Sequence, residues 1–322
     1  MRKRLAVIVS VSPFEPEEVV LRSANWIKNL DFDDLDCKIV YAIDSNGEGD
    51  RRGEKLRSLG FEVFERADRR GRKAGAINDC LDSLMKRGFK PDYVAFFDVD
   101  SRPSKNFVVE CIRALEKHRD AFISSSERRV INANNLVAET LDVEYRIFNF
   151  LLKRSDFKNF NGLIGVVRAD LLIKHRLDES SFAEDLEFSV RMHALGYKSV
   201  FVENAAVYEQ APTSWRDLYK QRKRWYYGGL QLFRNDYLRK NKVLAFQVLS
   251  AVVFAHAIAL LLPLLIIAPP LILYRFRKIK KLKIVFGLVA YLLINQIAAM
   301  SSLYSFLRGR EIEWQGVKRV EQ

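Results

Sequence analysis

The stretch Tyr93-Val94-Ala95-Phe96-Phe97-Asp98-Val99-Asp100 constrains this chain most. Five apolar or aromatic residues in a row, rich in strand formers, read as a strand buried on both faces. Strands of that kind belong to sheets covered by helices on each side. The run then ends in two carboxylates one residue apart. In extended backbone, residues two apart point the same way, which would set Asp98 and Asp100 side by side at the carboxyl end of the strand. Such a pair reads either as a solvated strand-end turn or as hard oxygen ligands for a divalent cation carrying a diphosphate.

The chain before it alternates strand and helix. Leu5 to Val11 reads as a buried strand, Pro16 to Leu30 as a helix, and Cys37 to Ile43 as a second strand that ends at Asp44. Phe61 to Phe64 reads as a short third strand and Lys73 to Met85 as a helix. This alternation predicts an α/β fold with parallel strands, in which ligands bind beyond the carboxyl ends of the strands. Asp44, Asp98 and Asp100 fall at those ends. Between them, Arg69-Arg70-Gly71-Arg72-Lys73 is a basic, glycine-bearing loop that opens a helix. It reads as a phosphate cradle or as a solvated helix start. Neither GxxxxGK[ST] nor GxGxxG is present, so the two commonest phosphate-binding fingerprints do not apply.

Farther along, Asn134 to Lys153 reads as a helix with an aromatic stripe, and Asn161-Gly162-Leu163-Ile164-Gly165 as a segment where backbone can approach a substrate closely. Ser181 to Phe188 opens a helix that runs to about Leu195 and stops at Gly196, with Glu184 and Asp185 in its first turn. Those carboxylates either complement the helix dipole or supply a general base. Trp215 to Phe233 reads as an amphipathic helix suited to a membrane interface, with Gln221-Arg222-Lys223-Arg224-Trp225 at its centre.

The formal charge is +13. Its basic residues are densest at 222–224, 239–242, 275–283 and near 308, beside apolar stretches, which favours anionic headgroups and sugar diphosphates over nucleic acid. The three cysteines, Cys37, Cys80 and Cys111, have no CxxC spacing, so neither a zinc site nor a disulfide framework is indicated. No secretory leader is read at the amino terminus, which places the polar body in the cytoplasm. Val243 to Tyr274 and Ile284 to Leu307 contain no Asp, Glu, Lys or Arg, and each exceeds the roughly 20 residues needed to cross hydrocarbon. Both read as membrane spans, with Pro263, Pro269 and Pro270 allowing a kink or hairpin in the first. The expected division is a cytoplasmic catalytic domain over 1–235, ending in the interface helix at 214–235, then a membrane segment over 243–308 and a short tail at 309–322.

Taken together, Asp44, Lys73 to Asn78, Asp98-Val99-Asp100, Glu184-Asp185 and Gln221 to Trp225 resemble the membrane-bound family 2 glycosyltransferases, which include the cellulose, chitin and hyaluronan synthases. The resemblance covers residues 5 to 235 and extends to Ile312-Glu313-Trp314-Gln315-Gly316. It implies a glycosyltransferase A fold, a nucleotide-sugar donor expected to be a UDP-sugar, Mg²⁺ or Mn²⁺, and inversion at the anomeric carbon. Carried over, Asp44, Lys73, Asp98, Asp100, Gln221 and Arg224 bind the donor, and Asp98 and Asp100 hold the metal. Asp185 is the base, and Glu184, Gly162 and Trp225 face the acceptor.

Two departures stand out. Ala183 replaces the usual threonine before Glu184-Asp185, and Ser10-Val11-Ser12-Pro13-Phe14-Glu15 replaces the usual pattern after the first strand. The expected reaction is transfer to a membrane-held, lipid-linked or glycan acceptor. A processive synthase acting with an oligomer or a partner pore is the alternative, and a nucleotidyltransferase or a non-catalytic membrane scaffold are the readings of another class.

Overall fold

The computed structural model describes residues 2–234, 262–275 and 283–312. These divide into two compact units, Met1–Glu127 with Leu152–Tyr208 and Arg128–Leu151 with Glu209–Gln322.

The first unit is built on a mixed sheet. Its strands are β1 (Arg4–Val11), β2 (Asp36–Asp44), β3 (Glu62–Arg66), β4 (Tyr93–Asp98), β5 (Arg102–Pro103), β6 (Ala121–Val130), β7 (Gly165–Arg168) and β8 (Lys198–Glu209), in the order β3-β2-β1-β4-β7-β6-β8-β5. β3, β2, β1 and β4 are mutually parallel, as the alternation predicts, whereas β7 runs antiparallel to β4 and to β6. The register sets Ser10 beside Asp98 and Asp44 beside Arg66, so the ends of four strands converge on one rim.

Period-two alternation sorts each strand between two cores. Leu5, Val7, Val9 and Val11 of β1 face one side, with Ala95 and Phe97 of β4. Ala6 and Ile8 face the other, with Val94 and Phe96. The first core is closed by helices α1 (Glu17–Ile27) and α2 (Arg52–Ser58), through Val20, Ile27 and Leu56, and by Phe107 and Leu115 in the helix Phe107–Lys117, here α4. The second is closed by α3 (Arg72–Lys86) through Ile77, Leu81 and Leu84, and by Leu172 and Phe188 in α6 (Ala169–His175) and α7 (Glu184–Ala194). Side chains of this size, fully buried, each contribute about 1.5–3 kcal/mol, so burial on both faces is what makes the sheet the rigid frame of the unit.

The strand predicted over Tyr93 to Asp100 stops at Asp98. The Ser101 N–H donates to the Asp98 carbonyl at 2.9 Å, closing a turn over Val99 and Asp100. The two carboxylates are therefore related by a turn and not by strand alternation, because β4 has no pairing partner past Asp98.

The second unit contains α5 (Leu136–Arg154), whose last residues pass into the first unit, α8 (Trp215–Gln231), α9 (Leu262–Arg275) and α10 (Lys283–Leu307). Ser214 caps α8 through its hydroxyl, accepting from the Asp217 N–H. Pro269 and Pro270 lie inside α9. Among the described residues, α10 alone is long and apolar enough to cross a membrane, with a mean hydropathy of 1.9 in its most apolar window. The rest of the predicted first span, the loop at 276–282 and the tail beyond 312 lie outside the described residues.

Candidate active site

At the carboxyl end of β4, the Lys73 ammonium lies 2.5 Å from Asp98 Oδ1 and donates to the Gly162 carbonyl at 2.9 Å. The Ser10 hydroxyl reaches the same Asp98 oxygen at 3.4 Å. The Gly162 N–H in turn donates to Asp185 Oδ2, and the Leu186 N–H donates to Asp185 Oδ1 at 2.8 Å. One residue thus joins the cation beside Asp98 to the carboxylate at the start of α7. The segment Asn161–Leu163 that carries it is a single 3₁₀ turn, with Gly162 at φ 66° and Leu163 at φ 53°. A Cβ on Gly162 would lie 3.0 Å from Asp98 Oδ2 and 3.0 Å from Lys73 Nζ. Glycine is needed here for its left-handed backbone and for the space.

Burial of Lys73 pulls its pKa down, but Asp98, Glu184 and Asp185 outweigh that and hold it above the ordinary lysine value. The ammonium stays charged, and three carboxylates share its field. The side chains of Lys73 and Asp98 are 20% and 35% exposed, so the pair is open to a ligand. Asp100 is buried in the turn that follows. Among the described residues there is no group of three His, Cys, Asp or Glu side chains able to hold a metal.

Asp44 has a different partner. Its buried carboxylate meets the Arg66 guanidinium at 2.7 and 2.9 Å, across the β2–β3 register. Burial raises its pKa, opposed by Arg66. Sequence reading passed over Arg66, although a lone arginine closing the strand beside Asp44 was a visible signal. Arg66 also bonds the carbonyls of Arg70 and Arg72 at 2.8 and 3.0 Å, which fixes the basic loop.

That loop is largely engaged by the protein itself. Arg69 donates to the Ser45 carbonyl at 2.9 Å, Arg70 to Asp79 at 2.7 Å and to Glu179, and Arg72 to the Ser181 carbonyl at 2.9 Å. Lys73 is the member of the loop that reaches Asp98.

Gln221, Arg224 and Trp225 lie on α8, in the second unit, and all three are half-buried. Their neighbour Arg222 is buried, 2.6 Å from Glu144 of α5, with its guanidinium 4.3 Å from the Trp225 ring centroid. The Tyr291 hydroxyl of α10 donates to the same Glu144 at 2.7 Å. Tyr219 and Tyr226 hydrogen-bond Ser301 and Asn295 at 3.0 and 3.1 Å, and the Ser302 hydroxyl donates to the Lys223 carbonyl at 2.7 Å. The amphipathic helix is therefore packed along α10 through a polar seam, and one of its expected surface cations is an interior ion pair.

A family model described as glycosyl transferase family group 2 matches residues 93–303. The chain belongs to that family. A second model, glycosyl transferase family 2, matches residues 14–169. Among curated relatives, glucomannan 4-beta-mannosyltransferase 1 of Oryza sativa subsp. japonica is 24% identical over 74% of this chain and 48% of its own length. A probable glucomannan 4-beta-mannosyltransferase 1 of Arabidopsis thaliana is 26% identical over 71% of this chain and 43% of its own. The chain thus spans about half or less of these relatives. Among solved structures, the mannosyltransferase PcManGT from Pyrobaculum calidifontis in complex with GDP-Man and Mn²⁺ superposes with a TM-score of 0.58 at 17% identity, over 93% of this chain and 88% of that one. S. aureus TarS 1-349 in complex with UDP gives 0.52 at 17% identity, over 98% and 94%. The family 2 domain thus has the curled, mixed α/β sheet of the glycosyltransferase A type.

Proposed function

We propose that this family 2 domain is an inverting, metal-assisted glycosyltransferase that moves a sugar from a nucleotide-sugar donor to a membrane-held acceptor, lipid-linked or glycan. The supporting observation is the unbroken contact from Asp98 through Lys73 and Gly162 to Asp185. It sets a cation and a carboxylate for the leaving group next to a carboxylate for the attacking one.

Inversion requires one in-line displacement and therefore one base. The acceptor hydroxyl attacks the anomeric carbon while its proton passes to Asp185, and the bond to the diphosphate breaks with its electron pair going to the leaving oxygen. The backbone N–H groups of Gly162 and Leu186 orient the Asp185 carboxylate for that transfer. The Lys73 charge stabilises the negative charge that develops on the nucleoside diphosphate. Asp98 and Asp100 offer only hard oxygens, which fits Mg²⁺ or Mn²⁺ and leaves further ligands to phosphate and water. A bound cation supplies additional charge neutralisation at the diphosphate. Asp44 belongs to the nucleotide end and Glu184 to the acceptor side. On α8, Gln221 and Arg224 are assigned to the donor and Trp225 to the acceptor sugar.

The apolar α10 supports placing the acceptor and the chain at the cell membrane, with the catalytic part on its cytoplasmic face and Val243 to Tyr274 as a further span. Mannosyl transfer among the curated relatives makes GDP-mannose a donor to test beside UDP-sugars. Purified chain is incubated with each nucleotide sugar, Mn²⁺ or Mg²⁺ and a membrane lipid extract. Metal-dependent release of nucleoside diphosphate, with labelled sugar entering the lipid or glycan fraction, is expected. Absence of transfer from every donor overturns the proposal, and a ladder of long polymer replaces single transfer with processive synthesis.

A further inference from the structure

Two side chains of α3 leave their own helix for one distant segment. Asn78 is buried, and its amide nitrogen donates to the Leu177 carbonyl at 3.0 Å while its amide oxygen accepts from the Leu177 N–H at 3.2 Å. The same nitrogen reaches Glu179 Oε1 at 3.1 Å. Six residues earlier, Arg72 donates to the Ser181 carbonyl at 2.9 Å and lays its guanidinium 3.9 Å from the Phe182 ring centroid. Arg72 does so from φ 51°, a left-handed conformation that a non-glycine residue adopts only when its surroundings impose it.

The segment held in this way runs directly into Ala183, the N-cap of α7, which makes no side-chain capping bond. A helix start normally relies on a Ser, Thr, Asp or Asn cap to set its first turn. Here that anchor is absent, and the first turn carries Glu184 and Asp185. The chain leading into α7 is instead tied at Leu177 by a two-point amide clamp and at Ser181 and Phe182 by Arg72. Two hydrogen bonds from one side chain to the N–H and C=O of one residue remove the freedom to pivot about either bond. A stacked and hydrogen-bonded guanidinium does the same four residues later.

We infer that Arg72 and Asn78 are positioning residues for Asp185: α3 dictates, through residues 177–182, where α7 begins. Because Lys73 sits on the same helix, one rigid element fixes both the cation beside Asp98 and the carboxylate that receives the acceptor proton. Arg72 is thereby withdrawn from the phosphate-binding task that a basic loop before a helix otherwise suggests. The inference rests on the reading of Asp185 as the base.

The test uses the full chain as the parent protein, Arg72→Gln and Asn78→Ala. Amide hydrogen exchange is followed without substrate, together with equilibrium binding of UDP or GDP with Mn²⁺, and turnover of whichever donor the parent uses. Expected in Arg72→Gln is at least tenfold faster exchange across residues 181–186, with α3, β1 and β4 unchanged. Nucleotide affinity stays within twofold, and kcat falls at least tenfold at constant donor KM.

Unchanged exchange at 181–186 overturns the inference. So does nucleotide affinity that falls in step with kcat, which would make Arg72 a donor ligand, and so does exchange that rises throughout the sheet, which would make its role one of general stability. If Asn78→Ala does not fold, Arg72→Gln decides alone, since its side chain lies at the half-buried edge of the clamp. A parent that transfers no sugar overturns the proposed function, while the exchange measurement still decides the positioning.

Discussion

The backbone N–H of Gly162 donates to the Asp185 carboxylate, and the carbonyl of the same residue accepts from Lys73 at 2.9 Å. A residue without a side chain is thus the link between the two chemical ends of the site. Its conformation is left-handed, and its missing Cβ is the gap that admits Lys73 and Asp98.

Gly162→Ala tests that link. A methyl group would meet Asp98 Oδ2 and Lys73 Nζ at 3.0 Å each, at φ 66°. The expected loss of stability is about 1–2 kcal/mol by denaturant titration. Turnover should fall by more than the stability loss accounts for at a temperature where the variant is fully folded.

Asp185→Asn keeps the shape of the side chain and removes its ability to take a proton. Sugar transfer should fall by about 10²- to 10⁴-fold, the range for losing a general base. Binding of the nucleoside diphosphate with Mn²⁺ should change by less than threefold. Transfer at the parent rate would remove Asp185 from its assigned role.

His193 links stability to pH. Burial against Phe122 and Phe157 lowers its pKa to about 4, opposed by a hydrogen bond to the Lys158 backbone. The folded form therefore resists protonation that the unfolded chain accepts near 6.5. Between those two values the unfolded state binds more protons, so stability falls as pH drops from 6.5 towards 4. With solvent screening the contribution is about 1–2 kcal/mol. Urea unfolding at pH 7 and pH 4.5 should show His193→Phe losing less stability across that window than the parent.

In the second unit, Arg222→Ala takes the buried guanidinium away from Glu144, which is half-buried and keeps the Tyr291 hydroxyl. Losing a charged hydrogen bond of this kind costs about 1.5–3 kcal/mol. Replacing both partners, Arg222→Met with Glu144→Gln, should recover much of that loss, and thermal unfolding of the three variants measures the difference.

Much of the first unit was legible in the sequence because its strands are buried on both faces. Leu5 to Val11, Cys37 to Ile43 and Tyr93 to Phe97 are apolar runs broken only at Ser10 and Lys38, and the structure shows them as β1, β2 and β4. β6 was not legible. Its run of Ser124, Ser125 and Ser126 carries no hydrophobic pattern, yet all three are buried. Ser124 and Ser125 satisfy their hydroxyls on the Cys111 and Ile164 carbonyls at 2.8 and 2.5 Å, partners that only the folded chain supplies.

The candidate site divides in the same way. Lys73, Asp98, Gly162 and Asp185 were selectable as residue types, but the Gly162 N–H and carbonyl that join them are backbone and carry no sequence signal. Asn78 and Arg72 were visible as part of a motif, while their partner at 177–182 lies about 100 residues away.

The sequence by itself determined the alternation of strand and helix, the strand end that carries Asp98, and the apolar length of α10, since burial and length are written in hydrophobic pattern. Only the tertiary structure decided that a turn separates Asp98 from Asp100, that Arg66 claims Asp44, and that Arg222 turns inward to Glu144. Each of these depends on which distant group is near enough to share a hydrogen bond or a charge, and pairing across the fold leaves no local periodicity to read.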